Sequence, residues 1–462
     1  MQNRRHFLKS SLALPMMMSG GSVLGTFAGF NAHAVDNTGY RALVCVFLFG
    51  GMDCHDTVIP FDQSSYDDYS QIRAPLLDSY AALPGGSTRT RDALLALEPA
   101  TSAFGSRQFA LPPQMGAMHQ LFTQGNAAIV GNVGPLSEPT NRTSFNNGTA
   151  KLPARLFSHN DQQSTWMSFA PEGSQLGWGG RFGDAAAQGT ANADTIFSQI
   201  SLFGNSVFLT GEQVSAYQIG ADGVPAIRLV ELSPPALRAT LRDHFTSAGS
   251  NRNNVFERDL INLSRVSLDA NDKLDAALQA GSSVQTAFPM SGLGAQLRAV
   301  AQTMAVRDTL GASRQIFFVG IGGFDSHSTQ ANDLPGLQQD LGDSIAAFYA
   351  ATQELGIEND VTTFTMADFG RTLTVNGDGT DHGWGSHHFV VGGGVKGGDI
   401  YGDIPVSQLG HAQDAGNGRL IPSVSVEQFA APLGSWFGLN QSELNMALPG
   451  LSNFPAGPIQ FI

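Results

Sequence analysis

Cysteine is nearly absent from this chain, with only Cys45 and Cys54 in 462 residues. Two cysteines so close together cannot staple a fold of this size, so stability must come from a buried core. A bond between them would require the chain to reverse within a few residues, and both thiols are expected to stay free. Positive charge is scarce as well: 25 Lys and Arg stand against 39 Asp and Glu, a formal net charge of −14. Such a balance repels phosphate backbones and anionic membrane surfaces, and argues against nucleic acid as a partner. After the first few dozen residues no apolar run approaches the roughly 20 residues that cross a bilayer. There is no Gly-x-Gly-x-x-Gly after the first expected strand and no cysteine cluster for iron and sulfur. An oxidoreductase therefore lacks its usual sequence signals. What remains, 42% hydrophobic and 14% charged residues, is an ordinary globular composition in a chain long enough to bury a full core.

The amino-terminal segment reads as an export address. Arg4-Arg5 precede Phe7-Leu8-Lys9, an uncharged stretch follows from Ser10 to Asn31, and Ala32-His33-Ala34 supplies a small-x-small cleavage pattern. This is the pattern of a twin-arginine signal, expected to engage the twin-arginine translocase and to be removed as residues 1–34. Glycines 20, 21, 25 and 29 weaken the alternative, a permanent spanning helix. Cleavage would move the net charge from −14 to −17. The mature protein, from Val35 onward, is expected in the periplasm or the medium, with no membrane span.

Hydrophobic patterning predicts an α/β fold. Arg41–Phe49 is an apolar run ending at Gly50-Gly51, as expected of a strand buried on both faces. Residues 314–321 before Gly322-Gly323, 361–367 before Asp368-Phe369-Gly370, 388–391 before Gly392, and 127–130 before Gly131 follow the same design. Between two of them, Leu334–Leu355 carries apolar residues at helical spacing and closes at Gly356, which implies a parallel βαβ unit. Residues 131–153 read as a long surface loop, and about 195–310 as an insertion, β-rich to 232 and helical from 254. No repeat or boundary divides 35–462 into separate domains.

In parallel α/β sheets ligands collect at the carboxyl ends of strands, and four of these ends carry acids or histidines beside glycine. They are Asp53, Asp325 with His327, Asp368 with Arg371, and Asp381-His382 leading to His387-His388. In extended chain Asp325 and His327 face the same way, whereas His387 and His388 face opposite ways, so one of that pair is expected as a ligand. Carboxylate with imidazole suits zinc, manganese or iron better than calcium. Taken singly, each acid is as readily a turn or helix cap; the recurrence is what points to a metal site.

The residues of Phe47–Asp53, Gly322–His327, Asp368–Thr372 and Asn376–Gly398 resemble domain-of-unknown-function family 1501, twin-arginine-exported, sulfatase-like proteins similar to the alkaline phosphatase superfamily. The resemblance implies an αβα sandwich with a largely parallel sheet and one or two divalent ions, zinc or manganese, beside a hydroxyl nucleophile. It makes Asp53, Asp325, His327 and Asp368 metal ligands, with His382, or one of His387 and His388, replacing the superfamily's histidine where this chain has Phe369. Ser158 matches the nucleophile segment, with Thr140, Thr143 and Ser144 as alternatives; Ser158 as a plain helix cap is the competing reading. Arg371 is expected either to neutralise the transferring group or to pair with a strand-end acid. The function implied is a periplasmic, metal-dependent hydrolase of phosphate or sulfate esters, acting on a small anionic ester or a sulfated or phosphorylated polymer. The alternative is a non-catalytic, metal-stabilised binding or assembly protein on the same fold.

Overall fold

The computed structural model describes residues 39–83, 88–101, 103–188, 192–221, 223, 234–247, 254–281, 283–455, 457 and 459–462. The expected signal segment and its cleavage site lie outside the described residues. Strands, in chain order, are β1 (Arg41–Leu48), β2 (Ile59–Pro60), β3 (Leu95–Ala96), β4 (Phe109–Leu111), β5 (Ala127–Gly134), β6 (Gln199–Ser201), β7 (Tyr217–Gln218), β8 (Arg314–Ile321), β9 (Val361–Ala367), β10 (Arg371–Val375), β11 (Thr380–His382), β12 (Ser386–Val391), β13 (Ile400–Gly402) and β14 (Val424–Ser425). Nine of them form one sheet in the order β13-β5-β12-β9-β1-β8-β6-β7, with β14 also on β5. Only β12 runs against the others in that sheet.

β1 is central because it is apolar on both faces. Ala42, Val44, Val46 and Leu48 pack into one hydrophobic cluster, and Leu43, Cys45 and Phe47 into another. In chain order the helices used here are α1 (Gln63–Ala82), α2 (Gly116–Thr123), α3 (Arg142–Asn146), α4 (His159–Ser168), α5 (Trp178–Gln188), α6 (Val255–Ala280), α7 (Gly292–Ala305), α8 (Gln330–Glu354) and α9 (Val426–Phe437). Met118 and Leu121 of α2, Leu297 and Val300 of α7, and Leu341 and Ile345 of α8 sit on the first face. Trp166 of α4, Trp178 and Phe182 of α5, and Phe429 and Leu433 of α9 sit on the second. The protein is thus a mixed α/β structure, helices on both faces of a largely parallel sheet. Both cysteines are buried and unpaired, and no described helix is long and apolar enough to cross a membrane.

Several boundaries differ from the sequence reading. The segment 131–153 contains the end of β5 and the short α3. Within 195–310, β6 pairs in parallel with β8 and β7 with β6, so this stretch extends the main sheet at its edge; residues 222 and 224–233 lie outside the described residues. Helix α8 begins at Gln330, before Leu334, and carries Pro335 inside it.

What positions the site is register. Leu48 stands opposite both Ile321 and Ala367, so β1, β8 and β9 end level with one another. Their exit turns meet at close quarters. A Cβ at Gly50 would lie 2.2 Å from the Asp325 backbone nitrogen, and one at Gly51 would lie 2.5 Å from the Phe369 ring; both glycines have positive φ (112° and 89°). No other residue fits there.

Candidate functional site

Asp325, in the turn after β8, is the centre of a cluster. Its Oδ1 accepts from Arg371 at 2.7 Å and lies 3.3 Å from Nε2 of both His327 and His382. Its Oδ2 lies 3.4 Å from Nε2 of His159, the first residue of α4. One nitrogen each from His159 and His382 and one Asp325 oxygen fall within 4.8 Å of one another. The Asp325 side chain is 45% exposed, so the cluster opens to solvent.

Each imidazole is held from its far side. His159 Nδ1 meets Asp368 Oδ2 at 2.5 Å, His382 Nδ1 meets the Phe157 carbonyl at 2.8 Å, and His327 Nδ1 faces Asp381 Oδ1 at 3.4 Å. For His159 and His382 an oxygen acceptor at Nδ1 favours the proton there and leaves Nε2 as a lone-pair donor, the arrangement that a metal-ligating histidine adopts. Two consequences are visible. His159 Nε2 is buried without a hydrogen-bond partner. His327 and His382 bring their Nε2 atoms to 2.8 Å, a hydrogen bond in which one ring nitrogen carries the proton and the other accepts. Phe369 packs its ring at 4.8 Å from His159 and 4.6 Å from His382.

Electrostatics follow from these partners. Burial pushes the Asp325 carboxyl up, but the hydrogen bond and charge of Arg371, helped by His159 and His327, hold it below its usual value. The hydrogen bond to Asp368 raises His159, against its burial; burial lowers His382. The supporting shell is dense: Asp368 Oδ2 also takes the Gly50 amide at 3.2 Å and Gln163 Nε2 at 3.0 Å.

The expected residues divide into two sets. Asp325, His327 and His382 come together, and Asp368 supports them through His159. Asp53 is engaged elsewhere. It is 1% exposed, its oxygens take Arg73 Nη1 at 2.6 Å and Nη2 at 3.0 Å, and Gln330 Nε2 adds a bond at 2.7 Å. Burial would raise its carboxyl, yet the Arg73 charge keeps it low. His387 is buried in β12, where its Nδ1 accepts from the Asn132 amide at 2.9 Å, and burial drives it down to about 3. Its neighbour His388 packs on Trp166 in the core. Neither faces Asp325, because alternation along β12 sends both into the packed layers.

Arg371 has its donors spent inside the protein, on Gly50 O at 3.1 Å, on Asp325, and on Thr380. It pairs with the strand-end acid. Ser158 is the N-cap residue of α4, but its hydroxyl donates to Asp161 Oδ2 at 2.9 Å and caps no backbone amide. Thr140 Oγ1 bonds the Glu138 carbonyl and Ser144 Oγ the Asn141 carbonyl, both in the turn that opens α3; Thr143 lies within α3. His159 was not foreseen as a member of the cluster. Its sequence signal, a histidine at the first position of a helix directly after the nucleophile-like serine, is weak alone.

Residues 40–453 match the family described as "Protein of unknown function (DUF1501)", and the chain belongs to that family. It matches no curated protein. The crystal structure of Ps i-CgsB in complex with k-i-k-neocarrahexaose is similar at 8% identity and a TM-score of 0.33, over 90% of this chain and 77% of that one. The crystal structure of Ps i-CgsB without that ligand gives 7% and 0.30 over the same shares. Similarity this low leaves fold and function to be argued from the chain itself.

Proposed function

We propose that this member of the DUF1501 family is a metal-dependent hydrolase of phosphate or sulfate esters, built on an alkaline phosphatase-like fold and exported to the periplasm by the twin-arginine route. The observation that carries the reading is the set of three imidazoles that turn Nε2 toward Asp325, two of them, His159 and His382, with Nδ1 hydrogen-bonded to an oxygen. His159, His382 and Asp325, whose ligand atoms lie within 4.8 Å of one another, would hold one divalent ion, with His327 beside them. Two imidazole nitrogens and one carboxylate, the ligand set of an open site, favour zinc over manganese. A second ion at Asp53 does not fit, since the Arg73 guanidinium already neutralises that carboxylate. When bound, the ion supplies Lewis acidity to a phosphoryl or sulfuryl oxygen.

The chain's own groups do the rest. Asp368 and Asp381 orient imidazoles, and Arg371 fixes the Asp325 carboxylate. Ser158 is the nucleophile in this scheme. As its Oγ bonds to phosphorus or sulfur, its proton passes to Asp161 and the bond to the alcohol oxygen breaks; solvent protonates the departing alcoholate, and water later cleaves the seryl ester. One observation favours the second reading, a metal-stabilised binding or assembly protein: Ser158 and Arg371 both spend their hydrogen bonds inside the protein.

Metal analysis of the exported protein, paired with turnover of aryl phosphate and aryl sulfate, tests this. We expect one transition-metal ion per chain, and turnover that drops at least about a hundredfold in Asp325→Ala. Metal-replete protein that is inert across phosphate, sulfate and phosphonate esters would shift the assignment to the binding protein. Protein that takes up no metal would remove both readings.

A further inference from the structure

Beside the cluster lies a cleft of about 310 Å³ lined by Phe49, Phe203 and Phe318 on one side and by Asn160, Gln163 and Ser164 of α4 on the other, with Glu172 at its margin. That volume is at the small end of ligand clefts. The two spaces share a wall. Gln163 lines the cleft and donates to Asp368, which holds His159; Phe49 lines the cleft and precedes Gly50, whose amide bonds the same carboxylate. We infer that this cleft binds a neutral, polyhydroxylated ring, a sugar, as the alcohol part of the ester.

Three features select that chemistry. No Lys or Arg lines the cleft and one acid does, which disfavours an anionic group there. Phe203 is 39% exposed and stacks on Phe49 at 5.0 Å and 24°, which presents a flat face suited to the C–H face of a pyranose. Among the described residues, the Glu172 carboxylate and the Gln163 Oε1 accept no hydrogen bond, and the exposed Asn160 amide makes none. The ligand that satisfies two acceptors and an amide brings several O–H groups. An aryl or acyl group would leave all three unpaired, and sites built around polar groups reject such analogues. Asn160, Gln163 and Ser164 stand at i, i+3 and i+4, so α4 offers them along one face.

As the subsite of a substrate, the cleft rests on the hydrolase reading; as a sugar site it does not, and the test separates the two. Lactose, cellobiose and maltose, with p-cresol as an aryl control, are titrated by calorimetry and saturation-transfer NMR into the exported protein as purified. We expect at least one disaccharide to bind in preference to p-cresol. Phe203→Ala and Glu172→Ala should each weaken it by about tenfold, and both positions are exposed enough for the fold to survive. Preference for p-cresol, no binding of any disaccharide, or binding indifferent to both cleft substitutions would overturn the inference. Sugar binding in a protein that hydrolyses no ester would leave the cleft standing and sink the hydrolase reading alone.

Discussion

The chain contains the same six-residue pattern twice, Gly50-Gly51-Met52-Asp53-Cys54-His55 after β1 and Gly322-Gly323-Phe324-Asp325-Ser326-His327 after β8, on adjacent strands that end in register. Their fates are opposite. Asp53 is sealed, with both oxygens on Arg73 and side chains at 0% exposure, and His55 is buried against the Gly418 carbonyl. Asp325 and His327 remain open, 45% and 44% exposed. The difference comes from what each loop meets. Helix α1 covers the first loop and inserts an arginine; the second loop faces α4 and the β10–β11 hairpin, where Arg371 pairs across strands with His382. Local sequence therefore sets the turn, and the neighbouring element decides whether its acid becomes an ion pair or stays available.

The largest effect expected from breaking this contrast is at Arg73. Arg73→Met leaves a fully buried carboxylate without its cation, which should cost about 3–5 kcal/mol in a chemical unfolding experiment. The fall should be smaller in the double variant Arg73→Met/Asp53→Asn, where no charge is stranded. A single-variant loss below about 1 kcal/mol would show that Asp53 is not the sealed member of the pair.

A third carboxylate sharpens the comparison, because Glu427 of α9 is buried without a basic residue among the groups that shift it. Burial raises it from 4.5 to about 7, against hydrogen bonds from Ser425 and its own backbone. Below pH 4.5 both folded and unfolded chains hold the proton, and nothing is lost. Between 4.5 and 7 the unfolded chain releases it first, so stability falls as pH rises, and above 7 the full penalty of a few kcal/mol is present. Glu427→Gln should thus stabilise the protein at pH 8 and change little at pH 4, as read by thermal unfolding in each buffer. An equal effect at both pH values would point to packing rather than charge.

Much of this was legible in the sequence. The apolar runs that stop at glycine pairs are β1 and β8, and a third that stops at Asp368 is β9; the i/i+2 spacing of Asp325 and His327 keeps both at one site. The less visible parts are long-range. Asp368 lies 209 positions from the His159 that it holds, and no local pattern couples them. Arg73 had a signal that can be stated afterwards: with Tyr69, Leu76 and Tyr80 it lies on the buried stripe of α1, and an arginine on an apolar stripe requires a buried acid. His387 was misleading because its strand extends earlier than its apolar run, to Ser386, which places both histidines inside the sheet.

At the open site the next effect in size concerns support rather than ligation. Asp368→Asn keeps the shape of the side chain but weakens its hold on His159 Nδ1. Metal affinity should fall about 10–100-fold, measured by competition with a chromophoric chelator, while His159→Ala should fall further. Equal affinities in wild type and Asp368→Asn would mean that His159 is not drawn into the site by its partner.

The smallest effect on the fold is expected at Ser158, and it is the most informative about chemistry. Its hydroxyl caps no amide of α4 and meets only Asp161, so Ser158→Ala should cost less than about 1 kcal/mol of stability and leave metal content intact. If Ser158 is the nucleophile, ester turnover should nevertheless collapse, and no covalent intermediate should form on the variant in mass spectra of rapidly quenched reactions. Turnover that survives in Ser158→Ala would transfer the attack to water, leaving the open Asp325 cluster as the whole of the catalytic apparatus and Ser158 as a residue that only tethers the start of α4 to Asp161.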